Sequence, residues 1–375
     1  MHKLIMVMAG VFCVLAVNAQ DKCRDVEYWD HSVDEFPALP GETDDQPRLQ
    51  RAVHACANKV LFVPAGDYKF DRTLVVTNYC SVLMHKRARF IADKPMEYVV
   101  KVNFSPLYKP VFKPWEIMDF GNFFKGGRID GRGIASCMSI HGYFHFTLRD
   151  VCFHNGKVFG LRVKGDAGPG GCELNASNLH FVNKVKGNAG NTAIKVTGCD
   201  DNFTDCWAMD YTVGFDIEGS SNFLTRCHAY GGVVPAPAPG EMPEYLKDSI
   251  GFRIRHSSNV LLRDCYSDTA STGYLVEGWE VRILGCCYFY NGGMIKKVKP
   301  ENRDKFVVFK QPVGTMLVAD GLVVKNLKDT VIYEGNGNAR FRDMVYCGKG
   351  LVNGENRPGE CVFKTENTRE VKLLD

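Results

Sequence analysis

The chain of 375 residues sets 46 Lys and Arg against 43 Asp and Glu, with the two signs mixed along its length, so it lacks the basic stripe of a nucleic-acid binder. With 45% hydrophobic residues it is long enough to bury a sizeable core, in one large domain or two ordinary ones. Its 15 cysteines suggest a disulfide scaffold until their placement is considered.

Residues 1–19 read as an export signal. His2 and Lys3 give a basic start, residues 4–17 an apolar run, and Val17-Asn18-Ala19 a small-residue cleavage site. The run is short for a bilayer, and no second apolar stretch of about 18 residues follows. A secreted or periplasmic protein with no membrane span is therefore expected. The remainder, 20–375, is read as one domain: a cap over 20–60, rungs over 61–346 and a tail over 347–375. Asp44-Asp45-Gln46-Pro47 followed by Leu49, Ala52, Val53 and Cys56 predicts an amphipathic helix with proline in its first turn. Val60-Leu61-Phe62-Val63 then reads as a buried strand and Pro64-Ala65-Gly66-Asp67-Tyr68 as a turn. A helix there would cover the open end of a stacked core.

The middle of the chain repeats. Cys152 leads to Gly160-Leu161-Arg162-Val163, Cys206 to Gly214-Phe215-Asp216-Ile217, and Cys265 to Gly273-Tyr274-Leu275-Val276, each cysteine standing 8 residues before the glycine. His180 to Ala193 and Cys227 to Gly251 are copies with insertions; Gly251 to Gly273 is 22 residues and Ala193 to Gly214 is 21. Phe215/Ile217, Phe252/Ile254 and Tyr274/Val276 alternate with period two, which excludes helical solenoids. A period of this length, built from short strands with Gly and Asn corners, is one turn of a parallel β-helix. The fold class is thus all-β, a right-handed parallel β-helix with an N-terminal capping helix. Most cysteines then become small buried hydrophobes at one repeat position. Cys23, Cys56, Cys80, Cys347 and Cys361 lie outside the repeat and are the disulfide candidates, with no pairing assigned.

The Asp44-Asp45 helix, Val63-Pro64-Ala65-Gly66-Asp67-Tyr68, the run Gly126-Gly127-Arg128-Ile129-Asp130-Gly131-Arg132-Gly133 and the later rungs resemble the pectate-lyase-like superfamily, most of all its rhamnogalacturonase and polygalacturonase group. That resemblance implies hydrolysis of glycosidic bonds by carboxylates on adjacent rungs. The group's catalytic pattern is absent where it is expected. Val213 occupies the first Asp position, Ser249 and Ile250 the Asp pair, and Thr272 the histidine.

In Gly-apolar-x-apolar the x side chain points away from the core, which gives the ladder Arg162, Lys195, Asp216, Arg253 and Leu275, with Lys296 or Lys297 on a following rung. A mainly basic ladder with one carboxylate suits an acidic sugar; the same residues also serve as ordinary cross-strand pairs that keep a sheet soluble. A proline-rich insertion follows Cys227, and His228 and Asp248 flank it. Asp216, Arg253, Asp248 and His228 are the catalytic candidates, and Arg162, Lys195, Lys296 and Tyr211 the substrate-binding ones. No cofactor and no zinc site is expected; calcium can be held by oxygen ligands at Asp200, Asp201, Asp205 and Asp210. The partner is a polysaccharide or oligosaccharide, taken by a monomer. Three functions stay open: glycoside hydrolysis of a uronate-containing glycan, lyase action by β-elimination, and glycan binding without catalysis.

Overall fold

The computed structural model describes residues 28–104, 121–165, 173–185, 190–231, 249–289, 307–313, 315–327, 331–335, 337–343, 345–348, 362–365 and 371–374. The export signal, Asp248, Lys296, Lys297, Cys23 and Cys361 lie outside them. Among the described residues the strands form three parallel sheets of 13, 11 and 11 strands, here sheets A, B and C, which the chain visits in that order on each turn. Every strand pairs with its counterpart one turn away. No helix among the described residues is long and apolar enough to cross a membrane.

The core is built from columns of like residues. On sheet C, Met138, Leu161, Ile194, Phe215, Phe252, Tyr274 and Phe309 stand in register facing inward. Phe215, Phe252, Tyr274 and Phe309 stack ring on ring at 4.8, 5.4 and 5.2 Å. Offset stacking of this kind adds to the burial of each ring, so the alternation seen in the sequence becomes a continuous aromatic spine. The repeat glycines serve space rather than backbone conformation. A Cβ on Gly214 would lie 2.6 Å from Gly251 O and 2.7 Å from Ala229 Cβ.

Between sheets A and B the turn is one residue in the left-handed region: Asp150, Asn178, Asp205, Arg226 and Asp264 all have φ of 51 to 60°. Asp and Asn tolerate this conformation best among residues with a side chain. Each N–H there donates to the next rung, as Asp205 N does to Thr225 O at 3.1 Å and Asp264 N to Leu284 O at 2.9 Å. The cysteine that follows turns inward. Cys206, Cys227, Cys265 and Cys286 are fully buried, and the Cys265 Sγ accepts from Cys227 N at 3.4 Å as the Cys286 Sγ does from Cys265 N at 3.3 Å. One alignment needs correction: Cys152 pairs with His180 in sheet B, so Val151, not Cys152, corresponds to Cys206. The equal spacing to Gly160 arises because the turn before that strand is one residue shorter in the Cys206 copy.

Helix α1 (Gln46–Ala55) buries Leu49, Ala52 and Val53 against the first rungs. Its Gln50 amide acts as a substitute peptide for the edge of sheet C: Nε2 donates to Val75 O at 2.8 Å and Oε1 accepts from Val75 N at 3.0 Å. That satisfies an edge strand which would otherwise template pairing with another chain. Cys56 and Cys80, two of the disulfide candidates, are buried free thiols in hydrogen-bond contact beside this helix. The segment read as a tail also joins the sheets, through Val362–Thr365 on sheet C and Val371–Leu374 on sheet A.

Candidate functional site

The outward row of sheet C runs Lys101, Ser139, Arg162, Lys195, Asp216, Arg253, Leu275 and Lys310 in strict register. Arg162, Lys195, Asp216 and Arg253 therefore share one face, as their spacing predicts. Lys310, not Lys296 or Lys297, holds the rung after Leu275. A second outward row two residues further on carries Glu218, Arg255 and Glu277, and the two rows interlock. Arg255 donates to Asp216 through Nε (3.0 Å) and Nη2 (2.8 Å). Lys195 Nζ reaches Asp216 Oδ2 at 3.3 Å and also pairs with Glu218. Arg253 Nε lies 3.4 Å from Glu277 Oε2. The Lys195 hydrogen bond holds the Glu218 carboxyl below the usual carboxylate range, against a smaller opposing effect of burial.

Asp216, 4% exposed, thus has both oxygens engaged by cations. It is the centre of an ion-pair cluster rather than a carboxyl free to exchange a proton with substrate. Arg162 differs. Its guanidinium lies 5.3 Å from the centre of the Phe159 ring, and its Nε has no hydrogen-bond partner. No carboxylate is recorded as pairing with it among the described residues. That Nε is closed to solvent, so a carboxylate can meet this guanidinium only through its outer nitrogens.

Two candidates fall elsewhere. Tyr211 is buried and its hydroxyl accepts from Gly156 N at 3.3 Å, with burial pushing its phenol well up, so it braces a turn instead of meeting substrate. It lies in the turn before the sheet C strand that begins at Val213. His228 begins the sheet B strand His228–Tyr230 and is not on the sheet C face that carries Asp216 and Arg253. Its ring stacks on Tyr266 at 3.6 Å, and burial lowers its pKa to about 4.

The acidic run does not converge. Asp201 points inward, where Tyr143 donates to both of its oxygens at 2.9 and 2.7 Å, whereas Asp205 pairs outward with Arg226 at 2.7 Å. Among the described residues no group of three or more His, Cys, Asp or Glu side chains is placed to hold a metal ion.

Sequence reasoning missed Asp268. It lies in sheet B at the corner leading to the sheet C strand Thr272–Glu277, in register with Tyr230. Burial raises its carboxyl to about 6, opposed by a short hydrogen bond from the Thr269 hydroxyl. Asp268 and Asp210 both act on the Tyr230 phenol, which burial and then these two charges push up. The available signal was a carboxylate at the strand end that leads into sheet C, in Tyr266-Ser267-Asp268.

No family model matches the chain, and no known protein of established annotation matches it significantly in sequence. Comparison with solved structures does find relatives in fold. The A-module of the mannuronan C-5 epimerase of Azotobacter vinelandii is 12% identical with a TM-score of 0.52, over 92% of this chain and 100% of the module. The chain has the right-handed parallel β-helix fold. The catalytic unit of the α-1,3-glucanase from Streptomyces thermodiastaticus is 15% identical with a TM-score of 0.51, over 92% of this chain and 68% of that one. The surface adhesin of Streptococcus pneumoniae is 10% identical with a TM-score of 0.55, over 84% and 87%. An epimerase, a glucanase and an adhesin on one β-helix show why the fold alone names no reaction.

Proposed function

We propose that this β-helix binds an extracellular acidic polysaccharide along sheet C and hydrolyses its glycosidic bonds. The observation that carries the binding is Arg162, a partly exposed cation on the outward ladder with no ion pair among the described residues, while its neighbours Lys195, Arg253 and Arg255 are paired. A uronate carboxylate meeting the outer nitrogens of this guanidinium supplies the pairing it lacks, whereas Lys101 and Lys310 further along the row are already paired with Glu97 and Glu334.

Hydrolysis is preferred to elimination because of Asp268. An acid catalyst must hold its proton until the leaving oxygen needs it, and a carboxyl raised to about 6 by burial does so in mildly acidic surroundings. The second carboxylate that inverting hydrolysis needs is assigned to Asp210, in the turn that follows the strand Trp207–Met209 two rungs away. Asp216 is assigned to holding the ladder's cations in place. Elimination remains the second enzymatic reading, since Arg or Lys on this row can stabilise the enolate and take the proton.

The test is to incubate the mature protein with pectic, alginate, glycosaminoglycan and neutral plant glycans, with and without calcium, following reducing ends and unsaturated-uronate absorbance together. Reducing ends without absorbance, abolished by Asp268→Asn, are expected. Absorbance rising with cleavage establishes a lyase. Binding without cleavage, weakened by Arg162→Ala, establishes a glycan-binding β-helix.

A further inference from the structure

Sheet B carries a feature that the sheet C reading does not use. At one outward position the first rungs are charged, Asp67, Arg89 and Arg128 standing in register, with Asp67 and Arg89 paired. After Cys152 the same column becomes His180, Trp207, His228 and Tyr266 on four successive rungs. His180 and Trp207 stack at 5.3 Å, Trp207 meets His228 edge to face at 5.9 Å, and His228 stacks on Tyr266 at 3.6 Å. Trp207 is 48% exposed and Tyr266 37%. A solvent-facing column has no core to fill, and the switch from charges to aromatic rings leaves apolar surface in water, which marks interaction surfaces.

The geometry points to this column as a docking platform for an uncharged polysaccharide, its pyranose rings laid face-on along the helix axis. His228 and Tyr266 pack face to face and Trp207 is turned 70° from His228, so the exposed Trp207 ring is the main stacking surface of the column. These four positions contain no carboxylate, lysine or arginine, and His228 is held neutral by burial, so nothing in them repays the desolvation of a charged ligand. The apolar C–H face of an uncharged sugar meets that condition. Stacking on flat side chains tolerates variation in the stacked unit, as at single-strand platforms for bases. The choice of a glycan as ligand rests on the proposed function, and the platform is separate from Arg162, although its Tyr266 shares a strand with Asp268.

The experiment titrates xylohexaose and cellohexaose, and oligogalacturonate in parallel, into the wild type, Trp207→Ala, Trp207→Phe and Arg162→Ala by calorimetry. Expected are binding of at least one neutral hexasaccharide, about tenfold weakening by Trp207→Ala, and retention of most affinity by Trp207→Phe. Arg162→Ala should weaken oligogalacturonate alone. Neutral binding unchanged in Trp207→Ala, or no neutral binding by the wild type, overturns the platform. Loss of the Arg162 effect with the Trp207 effect intact overturns the sheet C assignment instead.

Discussion

Replacing Asp216 by Asn separates a structural from a chemical role. The carboxylate is 6% exposed at its side chain, Lys195 10% and Arg255 25%, so the substitution leaves two poorly solvated cations facing each other. Removing one partner of a buried pair costs about 3–5 kcal/mol. Glu218, 36% exposed, still accepts from both cations, which offsets part of that loss. The expected destabilisation is about 2 kcal/mol, and Lys195→Met in the Asp216→Asn background should recover part of it by removing the orphaned charge. Denaturant unfolding followed by circular dichroism measures both, and hydrogen exchange should place the loosening on the rungs of Lys195, Asp216 and Arg255. A loss below about 0.5 kcal/mol would show that water already screens the cluster as an ordinary surface pairing. Cleavage abolished with stability intact would return Asp216 to catalysis.

Other consequences follow from individual contacts. Gly214→Ala should cost about 1–3 kcal/mol, read from the same unfolding curves, because the new Cβ meets Gly251 O and Ala229. Asp201, raised to about 7 mainly by burial, keeps its proton in the folded chain while the unfolded chain releases it near the ordinary value of 3.8. Stability should therefore fall as pH climbs from about 4 to about 7, and Asp201→Asn should flatten that slope; an unchanged profile would refute the shift. Burial pushes the Cys227 and Cys265 thiols well up, so a thiol reagent should leave both unlabelled in the native protein and label them after denaturation. Labelling of either at native rates would show that the cysteine column opens.

Why the fold was legible and the site only partly so comes down to what a period can encode. A repeat near 22 residues with Phe215/Ile217 and Phe252/Ile254 alternation specifies strands, their inward face and their stacking, because burying every second residue is a local requirement repeated on each turn. The same alternation placed Arg162, Lys195, Asp216 and Arg253 on one face without knowledge of any contact. It could not reveal that Arg255, on the following rung, reaches back over Asp216, since that depends on side-chain length and register between rungs. Nor could it show that Tyr211, just before the strand Val213–Ile217, turns inward to accept from Gly156 N. His228 and Asp248 were brought together by assuming that an insertion's ends meet, but His228 ends up in a stack of rings on another sheet. The Asp268 carboxyl and the aromatic column are both on sheet B, whose three-residue strands are too short to show alternation. Single-position columns across rungs, compared at the period of the repeat, expose them: Asp67, Arg89, Arg128, Cys152, His180, Trp207, His228, Tyr266 is a change of chemistry that reading along the chain hides. In a stacked fold the surface is organised perpendicular to the sequence. A function carried on such a surface is accordingly best sought in columns, and the charged row of sheet C and the aromatic row of sheet B are two columns whose ligands should differ in charge.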